Sequence, residues 1–234
     1  MGKKRGAIEA PDDRSKTERV YRDLRRRIRE LDLPPGLQLD KNRIADEYGV
    51  SRAPVSDAIA RLAAERLVDV FPQSGSFVAP IRAEELRESL LIRTGLEVEV
   101  ARRVAQAHDL ELVAKLDANL EAQAAAVKRN DLARLDDLDE AFHMLIMSGV
   151  KSESAEHLLD RARAILDRPR FRTLPEGERP SDTYLEHRRI VDGIRSGDAD
   201  LAGAAMRVHL AMVAQAIERG ISSVQSAPEA KKRR

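Results

Sequence analysis

Four side chains in this sequence have the chemistry to hold a metal ion. Asp139 and His143 stand four apart in DLDEAFHML, which places both on one face of a helix. His187 opens the run HRRIVDGI, and His209 lies in MRVHLAMV; the chain of 234 residues holds only five histidines. On facing helices of a bundle these four groups can converge. Three imidazoles and one carboxylate suit a divalent transition ion, zinc first, with nickel or manganese as alternatives. Plainer readings stand beside this one. An Asp/His pair four apart is often a capped or paired surface feature, and a lone helical histidine is often a satisfied core group. An ion so held can also keep positions open for water, so metal-dependent hydrolysis is an alternative chemistry. No glutamate of the HExxH kind stands by as its base.

A second constellation lies in GVSRAPVSDAIARLAAERLV, residues 49–68. Val55, Ile59, Leu62 and Leu67 recur at helical spacing and face inward, while the first turn is polar. Ser51 is placed to cap that helix, and Pro54 is tolerated because first-turn N–H groups lack helical partners. A helix meant only for packing has no need of a polar first turn, so this end is read as presented outward. As the second helix of a helix-turn-helix it would meet base edges in the major groove. Arg52 can contact guanine in two places, and the hydroxyls of Ser51 and Ser56 suit phosphates or base edges. Asn42 and Arg43 open the preceding helix, whose N–H groups and positive end favour phosphate oxygens. The plainer alternative is an exposed arginine beside an ordinary capping serine.

The elements that must position these groups follow from periodicity. Val20, Leu24, Ile28 and Leu31 mark a first helix with a basic outer face, which LPPG stops. Asp40 caps the short helix KNRIADEY, and Gly49 ends it. After the third helix, LVDVFP and SFVAP are joined by QSG, where Gly75 allows the positive φ of a hairpin tip beside the minor groove. Three helices and a hairpin make a winged helix-turn-helix. From Ile81 the period is helical throughout, with helices expected at 83–107, 110–128, 132–147, 153–166, 182–195 and 201–219, and a break from Pro169 to Pro180. Short connections between them predict an all-α antiparallel bundle. The fold class is mostly α, divided as tail 1–15, winged helix 16–80, bundle 81–221 and basic tail 222–234.

Composition sets the outer limits. Charged residues at 35% and aromatics at 3% favour helices, the absence of cysteine fits a reducing cytoplasm, and no apolar run nears the roughly 20 residues that cross a bilayer. The net charge of +1 is divided unevenly, with 16 Lys and Arg against 13 Asp and Glu up to Pro80. That mild excess permits a phosphate-binding first domain and no more.

RIADEYGVSRAPVSDAIARLAAERLVDVFPQSGSFV resembles the winged-helix domain of the GntR family of bacterial transcriptional regulators, over residues 17–80. Ser56-Asp57 stand where that family commonly has Arg-Glu, so the operator need not follow the usual consensus, and Arg66 stands where glycine is usual. RTGLEVEVARRVA, DEAFHMLIMSG and EHRRIVDGIRSGDADLAGAAMRVHL resemble the FCD ligand-binding domain of the FadR subfamily, over residues 84–220. That resemblance implies a metal bound by Asp139, His143, His187 and His209, with a small organic acid as effector against it. It also implies that Arg93 neutralises the effector carboxylate; the alternative for Arg93 is an intrahelical ion pair with Glu97. The expected function is a cytoplasmic, non-enzymatic repressor that binds a double-stranded operator as a homodimer and responds to the acid. The alternatives are the hydrolase and a DNA-binding protein with a purely structural metal.

Overall fold

The computed structural model describes residues 13–173 and 180–226, with side chains for 14–168 and 181–219. The chain divides into two compact units after Ile81. The first opens with α1 (Asp13–Arg29), which buries Val20, Leu24 and Ile28 to 1% exposure or less. Burying each such side chain contributes about 1.5–3 kcal/mol. Leu31, expected to continue this stripe, does not. The helix has ended, Leu31 sits at φ 63°, and Leu33 takes the buried place, donating its N–H to Arg27 O at 3.0 Å. The basic outer face of α1 is largely neutralised: Arg22 pairs with Glu18, Arg25 with Glu65, Arg26 with Asp23 and Glu30, and Arg27 with Glu47.

α2 (Lys41–Tyr48) begins at Asp40, whose carboxylate accepts from the N–H groups of Asn42 and Arg43, and ends at Gly49 with φ 61°. α3 (Arg52–Ala64) buries Val55, Ala58, Ile59 and Leu62. Arg66 then adopts φ 60° and delivers Leu67 to the core. β1 (Val68–Phe71) pairs antiparallel with β2 (Gly75–Val78), Val68 opposite Val78 and Phe71 opposite Gly75. Segment 36–39 adds a third edge through Leu39 N–H to Ser76 O and Val78 N–H to Leu37 O. Gly75 has φ 112°, where any side chain would be strained.

The second unit holds α4 (Ala83–Ala107), α5 (Leu110–Arg129), α6 (Leu132–Ser148), α7 (Glu153–Thr173), α8 (Pro180–Ser196) and α9 (Ala199–Ser226). Val104, Leu116, Phe142, Ile146, Leu159, Ile190, Met206 and Leu210 form their shared core. α8 and α9 cross closely because residue 193 is glycine: a Cβ there would stand 2.6 Å from Ala202 N. Two expected bounds shift. α7 continues past Pro169 to Thr173, since Leu166, Asp167 and Arg168 before it are buried and packing outweighs the proline. α1 begins within the expected N-terminal tail and α9 runs to Ser226 within the basic one; the rest of both tails lies outside the described residues.

Candidate metal centre and nucleic-acid interface

Every helix of the second unit contributes a side chain to one buried polar cluster. Asp139 and His143 come from α6, His187 from α8 and His209 from α9, and one ligand-type atom of each lies within 4.8 Å of the others. His143 Nε2 is 3.2 Å from His209 Nε2 and 3.8 Å from Asp139 Oδ1, and His187 Nε2 is 3.5 Å from the same oxygen. Ligands around a tetrahedral zinc stand about 3.4 Å apart.

The surrounding helices dictate which nitrogen points inward. Gln123 Oε1 on α5 meets His187 Nδ1 at 3.0 Å, and Glu186 Oε2 meets His209 Nδ1 at 2.9 Å. Glu97 Oε2 on α4 lies against His143 Nδ1. Acceptors therefore stand at all three Nδ1 atoms, which places the protons there and the lone pairs on Nε2. The Gln123 amide is itself oriented, since its Nε2 donates to Asn119 Oδ1 at 2.6 Å and Asn119 Nδ2 donates to Leu138 O at 3.1 Å. Asp139 is held in the same manner: Arg163 Nη2 on α7 donates to Oδ2 at 2.7 Å, leaving Oδ1 toward the histidines. Phe142 stacks on His187 with ring centroids 4.0 Å apart.

This donor set fits a divalent ion. Two lone pairs 3.2 Å apart repel unless a proton or a cation lies between them. His187 Nε2 is buried with no hydrogen-bond partner. Burial lowers the pKa of His143, His187 and His209; the other two histidines lower His187 further, and Glu97 opposes the shift at His143. Neutral imidazoles need lose no proton to ligate. Burial would raise the Glu97 carboxyl, yet Arg93, His143 and Arg163 hold it well below the usual carboxylate range.

Arg93 makes the intrahelical ion pair that the sequence offered as its alternative role. Its Nε donates to Glu97 Oε1 at 2.6 Å, but the pair is buried at 1% and 2% exposure rather than on the surface. Its Nη2 lies 3.4 Å from His143 Nε2, at the edge of the cluster.

In the first unit, Asn42, Arg43, Ser51, Arg52 and Gly75 are exposed and Ser56 is half-buried. Two expectations change. Ser51 occupies the N-cap position of α3 without a side-chain capping bond, so its hydroxyl and that helix end stay open. The N–H groups of Asn42 and Arg43, expected to face phosphate, are taken by Asp40, so only their side chains are available. Unlike the paired arginines of α1, Arg43 and Arg52 make no ion pair among the described residues.

Residues 16–78 match the bacterial regulatory proteins of the gntR family, and residues 88–212, more than half the chain, match the FCD domain. The chain belongs to the GntR family of bacterial transcriptional regulators. It is 36% identical over 200 residues to an uncharacterized HTH-type transcriptional regulator in an unstable DNA locus of Streptomyces ambofaciens, covering 86% of this chain and 84% of that one. To the HTH-type transcriptional repressor RspR of Escherichia coli it is 30% identical over 200 residues, covering 86% and 88%. Escherichia coli McbR/YncC shares the fold, with a TM-score of 0.76 at 18% identity over 88% of this chain and 98% of that one.

Sequence reading of this GntR-family regulator missed Gln123, Arg163 and Glu186. A signal existed for the first: Gln123 continues the stripe Leu112, Leu116, Leu120 and is a polar residue on an apolar face. For Arg163 and Glu186, in helices crowded with charge, only burial at 3% and 8% exposure separates them from surface neighbours.

Proposed function

We propose that this GntR-family regulator is a repressor whose operator affinity is controlled by a small organic acid bound at a divalent metal ion. Asp139, His143, His187 and His209 would hold the ion, zinc ahead of nickel or manganese. The observation that carries this reading is the convergence of three Nδ1-anchored imidazoles and one oriented carboxylate oxygen inside a buried site. When bound, the ion supplies an electrophilic centre for an anionic oxygen. The chain's own residues do the rest: Glu97, Gln123 and Glu186 orient the histidines, Arg163 orients Asp139, and Arg93 offers a guanidinium to the carboxylate.

In the winged helix, 16–80, Arg52, Ser51 and Ser56 of α3 would face base edges, with the Asn42 and Arg43 side chains on phosphates and the turn at Gly75 beside the minor groove. One such helix reads few base pairs, so a homodimer on a pseudo-palindromic operator is the matching assembly. The acid acts by binding unequally to DNA-competent and DNA-incompetent arrangements of that dimer. The repressor name of the Escherichia coli relative supports the sign. The cytoplasm, where the operator is, is the expected compartment, and no described helix is long and apolar enough to cross a membrane.

The test is metal content of the purified chain beside His143→Ala and His187→Ala. About one ion per chain in the wild type, lost in both variants, with an acid that changes operator affinity only in the loaded protein, is the expected result. A wild type that takes up neither zinc, nickel nor manganese would overturn the reading.

A further inference from the structure

Arg163 is only 3% exposed, and it uses its guanidinium incompletely. Nη2 donates to Asp139, but Nε and Nη1 are buried with no hydrogen-bond partner. Asp139, Asp167 and Glu97 supply counter-charge through space and keep the group protonated against the cost of burial. Charge compensation is not hydrogen bonding, and a buried donor left unmet carries a desolvation penalty. Two such donors on one side chain, at the edge of a ligand cluster, mark a place for an acceptor.

Arg93 behaves in a related way. Its Nη2 faces His143 Nε2 at 3.4 Å, the same lone pair an ion would take. Once Asp139 and His143 are shared with a cation, Arg163 loses part of its counter-charge and Arg93 loses an acceptor. Donors on both arginines are then short of partners in a buried, cation-bearing site. A carboxylate oxygen is the group that meets both deficits, being anionic and able to accept several N–H bonds at once.

We propose that Arg163 is a second anchor for the acid, donating to a carboxylate bound beside the ion, so that ion and carboxylate bind cooperatively. This rests on the metal reading above. Cooperativity is reciprocal, so it can be measured on the metal: the carboxylate must tighten the ion by the factor with which the ion tightens the carboxylate.

The probe is acetate, and the measurement is zinc affinity of the full chain by chelator competition, with and without acetate. For the wild type, acetate is expected to tighten zinc about tenfold, within the usual range of coupling between sites. Arg163→Lys keeps the positive charge opposite Asp139 but removes Nε–H and the planar fork. Because Lys holds Asp139 less firmly, the variant's zinc affinity in acetate-free buffer is expected to fall; the decisive reading is the acetate effect measured on the variant itself, which should drop below about twofold. An undiminished acetate effect in Arg163→Lys overturns the inference, as does a wild type that binds zinc but ignores acetate. A wild type that takes no ion at all defeats the metal reading itself. If Arg163→Lys does not fold or takes up no zinc, the Nε–H resonance of Arg163 in zinc-loaded wild type decides: a shift on adding acetate supports the contact, and an unmoved resonance overturns it.

Discussion

Replacing Gln123 by methionine removes one acceptor, one donor and almost no volume from the candidate metal centre. Gln123 is 2% exposed, and its Oε1 faces the Nδ1 of His187 at 3.0 Å. Without that acceptor the imidazole has two options in a fully buried place. It can keep its orientation with Nδ1–H unmet, at about 1–3 kcal/mol. Alternatively it can turn and withdraw Nε2 from the ligand set. Changes to groups that hold a metal-ligating histidine typically weaken binding about 10–100-fold, or about 1.4–2.8 kcal/mol, which agrees with the cost of the unmet donor. Zinc competition against a chelator should therefore show Gln123→Met weaker by that factor while still binding one ion. Gln123→Glu restores the acceptor but turns a second oxygen on Asn119 Oδ1, so it should bind zinc more tightly than Gln123→Met without exceeding wild type. Equal zinc affinity in Gln123→Met and wild type, within about twofold, would refute the idea that the outer hydrogen bonds set the ligand geometry.

Gly193→Ala would place a Cβ 2.6 Å from Ala202 N and 2.7 Å from Ala202 Cα, backbone that cannot yield cheaply. A loss of about 1–3 kcal/mol is expected, read as a lower denaturation midpoint, and an unchanged midpoint would show that α8 and α9 can separate freely. Arg66→Gly relieves a side chain held at φ 60° and should stabilise the first unit by about 1 kcal/mol; a lower melting temperature would mean that the arginine's contacts outweigh the strain. Arg52→Ala on a selected operator should cost about 1–3 kcal/mol and relax preference at one position, whereas equal losses on all sequences would assign Arg52 to a phosphate.

Much of the architecture was legible without coordinates because it rests on local rules. Asp40 before KNRIADEY and Gly49 after it signal a capped helix by short-range hydrogen bonding, and both positions do that in the structure. The spacing of Val55, Ile59 and Leu62 requires one buried face. The same local reasoning failed at Leu31, where a left-handed turn redirected the chain, and at Pro169, where burial of the preceding residues outweighed a helix breaker. It also took the first-turn N–H groups of α2 as open, although the cap residue it had recognised was bound to occupy them.

For the site, sequence alone determined the donor types and one geometric fact, that Asp139 and His143 share a helix face. That His187 and His209 from two other helices reach the same point, that each imidazole turns its Nε2 inward, and that Arg93 and Arg163 are buried beside them were decided by tertiary structure alone. The reason is physical. A helix period says which side a residue faces, but convergence depends on how six helices pack. The inward nitrogen depends in turn on acceptors carried by Glu97, Gln123 and Glu186, up to 64 residues along the chain from the histidine each one holds.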